Sequence, residues 1–297
     1  MGWTKSYFFC GIGGSGMLPL ATILKAQGHE VSGSDRALDQ GRSEAKFDWL
    51  AARGMKLFPQ DGSGISGGDQ ILVASAAVEE HVPDGAAAAR LGCARTSRAA
   101  LLAGLFNAAP QSVAVGGTSG KSTVTGMLGW IAHRAGRDPT IMNGAVMRNF
   151  VGADTPFASS IVGGGGLFVS EVDESDGSIA LFDPAVAVLN NVSIDHKPID
   201  ELRGLFGDFL KRARRAVVNI DDPEAAALAA ALPAERLIGF GFSASAHLRG
   251  AGIEEEPLAV AFTASEGDES VRLRLGLPGR HNAANALAAL AAAQAAG

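Results

Sequence analysis

Two glycine-rich loops, each set between a short apolar run and an amphipathic one, constrain this chain more than any other feature. The first, Gly11-Ile12-Gly13-Gly14-Ser15-Gly16, follows Tyr7-Phe8-Phe9-Cys10. The second, Gly117-Thr118-Ser119-Gly120-Lys121-Ser122, follows Ser112-Val113-Ala114-Val115. Apolar runs this short, closed by glycine, read as buried strands. Met17, Leu20, Ala21 and Leu24 then recur at i, i+3, i+4 and i+7, as does the stripe of Val124, Met127, Leu128 and Ile131, and both predict helices. Strand, glycine loop and helix, used twice, predict two α/β units with parallel sheets.

The rest of the chain extends both units. Strands are predicted at Glu30–Ser32, at Ile71–Val73 and near Cys93-Ala94, with helices over 79–91 and 98–107. Pro110 ends the last of these helices, so the boundary is placed at 108/109. Residues 1–108 are expected to form a Rossmann-like parallel sheet. Residues 109–297 are expected to form a P-loop ATPase-type α/β domain, with strands at 168–170, 185–189, 217–218 and 237–238 and a helix over 281–296. The run Gly163–Gly166 reads as a flexible loop.

Composition narrows the class. The chain of 297 residues is 47% hydrophobic and 19% charged, which excludes collagen, coiled coil and intrinsic disorder. Its net charge of −6 makes a non-specific nucleic-acid binder a poor fit. Two cysteines, Cys10 and Cys93, form no disulfide framework and read as core fillers. No secretory leader is seen at the N-terminus and no apolar run reaches about 18 residues. A soluble cytoplasmic protein without membrane partners is expected, and its oligomeric state is left open.

The first loop fits G-x-G-x-x-G through Gly11, Gly13 and Gly16. Glycine lets backbone N–H groups approach phosphate oxygens at a positive helix N-terminus. Asp35, ending the second strand, stands where a ribose hydroxyl partner would sit. A nicotinamide or flavin cofactor, a UDP-sugar diphosphate and a plain strand–helix turn all remain open on the motif alone. The second loop has P-loop context, although Val115 stands where the full pattern has its first glycine. Its amides would cradle phosphates, Lys121 would reach the β and γ oxygens, and Ser122 would place a hydroxyl on Mg²⁺.

Phe168-Val169-Ser170-Glu171 runs into Val172-Asp173-Glu174-Ser175-Asp176-Gly177, which places carboxylates at a strand end near the P-loop. Such acids hold a hard cation, or else form a solvated turn. Asn190-Asn191-Val192-Ser193-Ile194-Asp195-His196 follows the next strand. By itself His196 reads as a structural residue.

Taken together, these segments resemble the Mur ligase family, most of all its alanine-adding members. The resemblance rests on Gly11 to Met17, Gly33-Ser34-Asp35, Gly117 to Thr123, Glu171 to Ser178, Asp195-His196 and Gly279 to Leu287. It implies an ATP-dependent amide ligase of peptidoglycan synthesis, which joins an amino acid, L-alanine, to UDP-N-acetylmuramate through an acyl phosphate. It implies that Gly11, Gly13, Gly14, Ser15, Gly16, Met17, Ser34 and Asp35 hold the UDP-sugar, with Asn143 beside it. ATP would lie on Gly117, Thr118, Ser119, Gly120, Lys121, Ser122 and Thr123, with His281, Asn282 and Asn285 near the adenine. Mg²⁺ would lie on Ser122, Glu171 and His196, and catalysis would use Lys121, Glu171 and His196. The family's third domain would follow the helix that starts at His281, so the resemblance covers the first two. Ser119 replaces the usual histidine of the alanine-adding members, and Lys197-Pro198 replaces an apolar–aspartate pair. A peptide-recycling ligase of the same family, and a nucleotide- or UDP-sugar-binding relative without ligase activity, are the alternatives.

Overall fold

The computed structural model describes residues 4–74, 82–194 and 197–297. They fall into two units, Met1–Leu105 with Gly144–Val162, and Phe106–Asn143 with Gly163–Gly297. In the first, β1 (Ser6–Cys10) leads through the glycine loop to α1 (Met17–Ala26), then β2 (Glu30–Ser34), α2 (Arg36–Asp39), α3 (Glu44–Ala52) and β3 (Lys56–Phe58). β4 (Gln70–Ala74), α4 (Pro83–Leu91), β5 (Ala94–Ser97) and α5 (Arg98–Asn107) follow. The helix expected over 79–91 begins at Pro83, a proline at the first helical position; residues 79–81 lie outside the described residues.

The five strands make one parallel sheet in the order β3-β2-β1-β4-β5. Phe8 and Phe9 of β1 and Leu20, Ile23 and Leu24 of α1 are completely buried. The strand order reverses at β1, and in open α/β sheets ligands bind outside the carboxyl ends of the strands at such a point. The first glycine loop occupies that position.

The second unit opens with β6 (Gln111–Gly116), α6 (Lys121–Arg134) and β7 (Thr140–Met142). The chain then passes through residues 144–162, which belong to the first unit and carry β8 (Ser160–Ile161), packed against α1. It returns as β9 (Leu167–Glu171), β10 (Val186–Leu189), α7 (Ile199–Arg212), β11 (Arg215–Asn219), α8 (Pro223–Ala229) and β12 (Leu237–Gly241). β13 (Leu248–Glu256), β14 (Ala259–Glu266), β15 (Glu269–Leu275) and α9 (Arg280–Ala296) complete it.

Its sheet runs β15-β14-β13-β12-β11-β10-β6-β9-β7. The strands from β12 to β7 pair in parallel, and β13–β14 and β14–β15 pair antiparallel. Here the order reverses at β6, so the P-loop also sits at a switch point. α9 packs on α6 and across the sheet, and Ala283, Leu287, Ala288, Ala289, Ala291 and Ala292 are fully buried. Small side chains let this helix lie close to its neighbours. Among the described residues no helix is long and apolar enough to cross a membrane.

Two features differ from the sequence expectation. The antiparallel extension β13–β15 was not foreseen. Its exposed face carries charge pairs, Arg272–Glu254 at 2.6 Å and Arg274–Glu256 at 2.7 Å. The Gly163–Gly166 run is a packed crossing rather than a flexible loop. Gly165 N donates to Asp138 O at 2.9 Å, Gly164 N to Asp138 Oδ2 at 2.7 Å and Gln111 N to Gly166 O at 3.1 Å. A Cβ at Gly165 would sit 1.7 Å from Arg137 O, so the crossing admits no side chain there. At Gly164 the nearest atom is Asp138 Oδ2, at 3.5 Å.

Gly165→Ala is therefore expected to destabilise the protein by about 1–3 kcal/mol. Gly164→Ala should change it by no more than about 0.5 kcal/mol. Urea unfolding midpoints check the contrast, and equal effects would show that the crossing is loose.

Candidate functional site

The P-loop owes its shape to two positive-φ glycines and a polar brace. Gly117 has φ +131° and Gly120, which caps α6, has φ +84°. A Cβ on Gly120 would lie 2.6 Å from both Asn190 Nδ2 and Asn285 Oδ1. Glycine is thus required on grounds of both space and backbone conformation. Asn191 clamps the loop: Thr118 N donates to its carbonyl at 3.1 Å, and Ser119 N to its Oδ1 at 2.8 Å. Asn190 Nδ2 donates to Ser119 O at 3.1 Å and to Asn285 Oδ1 at 2.9 Å.

Parallel pairing sets Val115 against Glu171 and Met142 against Ser170, so the ends of β6, β9 and β7 lie at one level. Ser122 Oγ donates to Glu171 Oε2 at 2.6 Å. Lys121 Nζ donates to Gly117 O at 2.8 Å and to both oxygens of Glu174, at 3.1 and 3.0 Å. Asn143, 2% exposed, donates to Ser122 O at 3.1 Å. Its Oδ1, like Asn190 Oδ1, is buried without a hydrogen-bond partner among the described residues. The structure thus brings Lys121, Ser122, Glu171 and Asn143 together, and it puts Asn143 beneath the phosphate loop. Asp195 and His196 lie outside the described residues.

The start of α9 forms the wall of a cavity of about 690 Å³. Asn219 lines it from the end of β11, Asp221 and Asp222 from the loop that follows, and Phe242 from beyond β12. Arg280 and His281 line its other side, the Arg280 guanidinium stacking 4.0 Å above the Phe242 ring, and it stands open to solvent. Asn282 Nδ2 donates to Pro278 O at 2.7 Å, and Asn285 Nδ2 lies 3.4 Å from Asn282 Oδ1. The bond from Asn285 to Asn190 ties this helix end to the P-loop.

Asp221 accepts from Ser243 Oγ, from Ser243 N at 3.0 Å and from Phe242 N at 2.5 Å. Burial pushes its carboxyl up, but the Ser243 hydroxyl, these two amides and the Arg280 charge together hold it below the usual carboxylate range. Asp221, Asp222, Phe242 and Arg280 escaped the sequence reading. The available signal was an acidic pair separated from the apolar run Ala216–Val218 by Asn219 and Ile220.

In the first unit Gly11 N and Ile12 N both donate to Ser34 O, at 2.8 and 2.9 Å. Asp35 accepts from Gly13 N and from Ala37 N, each at 2.8 Å, which locks the loop to the start of α2. Lys46 Nζ donates to Gly13 O at 2.8 Å. Ser15 is exposed at the loop surface and Met17 is buried in the core. Ser34 Oγ donates to Asp84, which also accepts Gly62 N at 3.0 Å. A Cβ at Gly16 would fall 2.9 Å from the Arg98 guanidinium, so that cation lies against the loop. Cys10 is a core residue: burial and neighbouring Asp84 push its thiol up to about 12.

Fold and loops together define a P-loop-type α/β unit joined to a Rossmann-like one. Residues 6–109 match the description "Mur ligase family, catalytic domain", and residues 115–293 match "Mur ligase middle domain". The chain belongs to the Mur ligase family. It is 34% identical over 300 residues to the UDP-N-acetylmuramate–L-alanine ligase of Methylobacillus flagellatus, covering 97% of this chain and 60% of that protein. It is 33% identical over 298 residues to the ligase of the same name from Novosphingobium aromaticivorans, covering 96% and 60%. The chain thus spans about 60% of the length of these curated relatives. Among solved structures, UDP-N-acetylmuramate-alanine ligase of Thermotoga maritima superposes with TM-score 0.81 at 22% identity, over 98% of this chain and 67% of that one. The UDP-N-acetylmuramate:L-alanyl-gamma-D-glutamyl-meso-diaminopimelate ligase of Neisseria meningitides gives 0.83 at 24%, over 99% and 94%. These two share the fold.

A depressed carboxyl stabilises the folded state only while it is ionised. Asp221 therefore contributes above its unfolded value, near 3.8, and the contribution is lost as the pH falls through its lower folded value. Asp221→Asn should lower the urea midpoint at neutral pH, and the gap to the parent should close below about pH 4. A gap that persists unchanged into acid would place the effect elsewhere.

Proposed function

We propose that this chain is the UDP-sugar- and ATP-binding part of an ATP-dependent amide ligase of peptidoglycan precursor synthesis in the cytoplasm. It would join L-alanine to UDP-N-acetylmuramate by way of an acyl phosphate. The observation that carries the reading is the set Lys121, Ser122 and Glu171 at the β6 switch point, in a chain whose relatives bear that ligase name. An ammonium, a hydroxyl and a carboxylate on one glycine cradle are the groups that a Mg²⁺-bound triphosphate requires.

The residues fit the groups they would hold. Ser122 Oγ and Glu171 Oε2, 2.6 Å apart, are hard oxygen donors. Mg²⁺ is held by one or two carboxylates together with substrate phosphates and water, so no larger protein cage is needed. The family resemblance adds His196 to this set. When bound, Mg²⁺ would neutralise charge on the phosphoryl oxygens. Gly117 and Gly120, both at positive φ, give the loop backbone the turn that a phosphate cradle needs. The cavity lined by Arg280 and His281, with Asn282 and Asn285 on the same helix but outside its lining, supports a place for adenosine beside the Arg280–Phe242 stack.

A carboxylate is a poor acyl donor until an oxygen becomes a phosphate leaving group. Lys121 would stabilise the charge on the phosphoryl group as it passes to the sugar's carboxylate, and the amine would then displace phosphate. The chain's own part is positioning and fixed charge. In the first unit the glycine loop, Ser34 and Asp35 would orient the UDP diphosphate at the α1 N-terminus. The position of Asn143 under Ser122 supports a role in holding the phosphate loop.

Mg-ATP and UDP-N-acetylmuramate, each at about 100 times its dissociation constant, should each raise the melting temperature by about 5–10 °C. Lys121→Ala should abolish the first shift and spare the second. The proposal fails if neither ligand moves the transition.

A further inference from the structure

We propose that Glu174 is the resting counter-ion of Lys121, and that a triphosphate entering the P-loop must take the lysine from it. This rests on reading the loop as an ATP site. An ammonium has three N–H donors. On Lys121 the three accepting atoms are Gly117 O and the two oxygens of Glu174. Both oxygens of the Glu174 carboxylate face the ammonium, so a phosphate oxygen must compete with that carboxylate for the charge.

The two acceptors differ in how they can yield. Gly117 O belongs to a backbone held at φ +131° beside the Asn191 clamp. Glu174 reaches the ammonium on a side chain rooted in the turn after β9, where Asp173 Oδ1 accepts Ser175 N at 2.8 Å and Glu174 O accepts Gly177 N at 3.2 Å. The carboxylate is the group that gives way. It is 5% exposed, and the lysine side chain is 20% exposed. Each charge therefore relieves the desolvation of the other, since a buried charge is tolerated only when paired.

The same carboxylate works against the ligand. It competes for the cation that the phosphates need, and its negative charge stands beside them in a poorly screened place. Glu174 is thus a positioning residue with two opposed effects. It orders Lys121 before binding and subtracts from triphosphate affinity.

The test is Glu174→Gln, which keeps the shape and one acceptor while removing the charge. Its melting temperature without ligand should fall, while its Mg-ATP dissociation constant, read by calorimetry on the full chain, should tighten about tenfold. A purely structural glutamate predicts the first change with unchanged or weaker Mg-ATP binding, and that result overturns the proposal. A second arm uses the unmutated chain, so it stands even where the variant does not fold. In crystals with Mg²⁺ and a non-hydrolysable ATP analogue, Lys121 Nζ should lie beyond about 4 Å from both Glu174 oxygens, the limit of an ion pair. A retained pair in that complex overturns the proposal. An unmutated chain that binds no Mg-ATP removes the ATP-site reading as well, whereas normal binding with an unresponsive Glu174→Gln removes this inference alone.

Discussion

Parallel strand register is the constraint on which the second unit depends. Val113 of β6 pairs with Val186 on one side and Val169 on the other, so three strands end together. Because they end together, Glu171, the asparagine pair 190–191 and the P-loop emerge at one height. Shifting one strand by two residues would keep its apolar faces buried and yet carry its polar end about 7 Å along the sheet. The burial of Val113, Val115, Val169, Val188 and Leu189 therefore does more than hold the unit together. It sets the spacing between a lysine, a hydroxyl and two carboxylates that are distant in sequence.

Both units solve the same problem with different side chains. Each places a glycine loop after the strand where the sheet order reverses. In the first, Asp35 and Ser34 hold the loop from the neighbouring strand β2. In the second, Asn190 and Asn191 hold it from β10, and α9 contributes Asn285. Two cations, Lys46 and Arg98, lie against the loop that the carboxylate braces. The neutral amide brace lies where the loop already carries its own lysine.

Sequence reading reached the elements whose signal is local. The strand–loop–helix starts at Phe8–Met17 and Val113–Val124 were legible because apolar run, glycine and helical stripe are adjacent. Glu171 was legible as an acid at a strand end. The bracing role of Asn190 was not, since its partners Ser119 and Asn285 lie 71 and 95 residues away. The cavity draws its walls from separated loops and has no contiguous motif. The β13–β15 extension had a readable mark in the two-residue connection Gly267-Asp268, with Gly267 at φ +56°. A second mark was the alternation of Val271, Leu273 and Leu275 with Arg272 and Arg274, but the strand Glu269–Leu275 stays largely exposed, so the alternation outlines no buried face. The glycine run 163–166 shows the opposite failure: composition suggested slack where the backbone is in contact with 137–138.

That extension also ends the sheet, and an open sheet edge invites pairing with another chain. The last strand meets the solvent with Arg272 and Arg274, each tethered across β14 to a glutamate of β13. An incoming strand would have to disrupt or bury this lattice of paired charges, at a desolvation cost that its new backbone bonds would have to offset. Ionic side chains thus mark the border of the sheet in the way that proteins discourage edge-to-edge pairing.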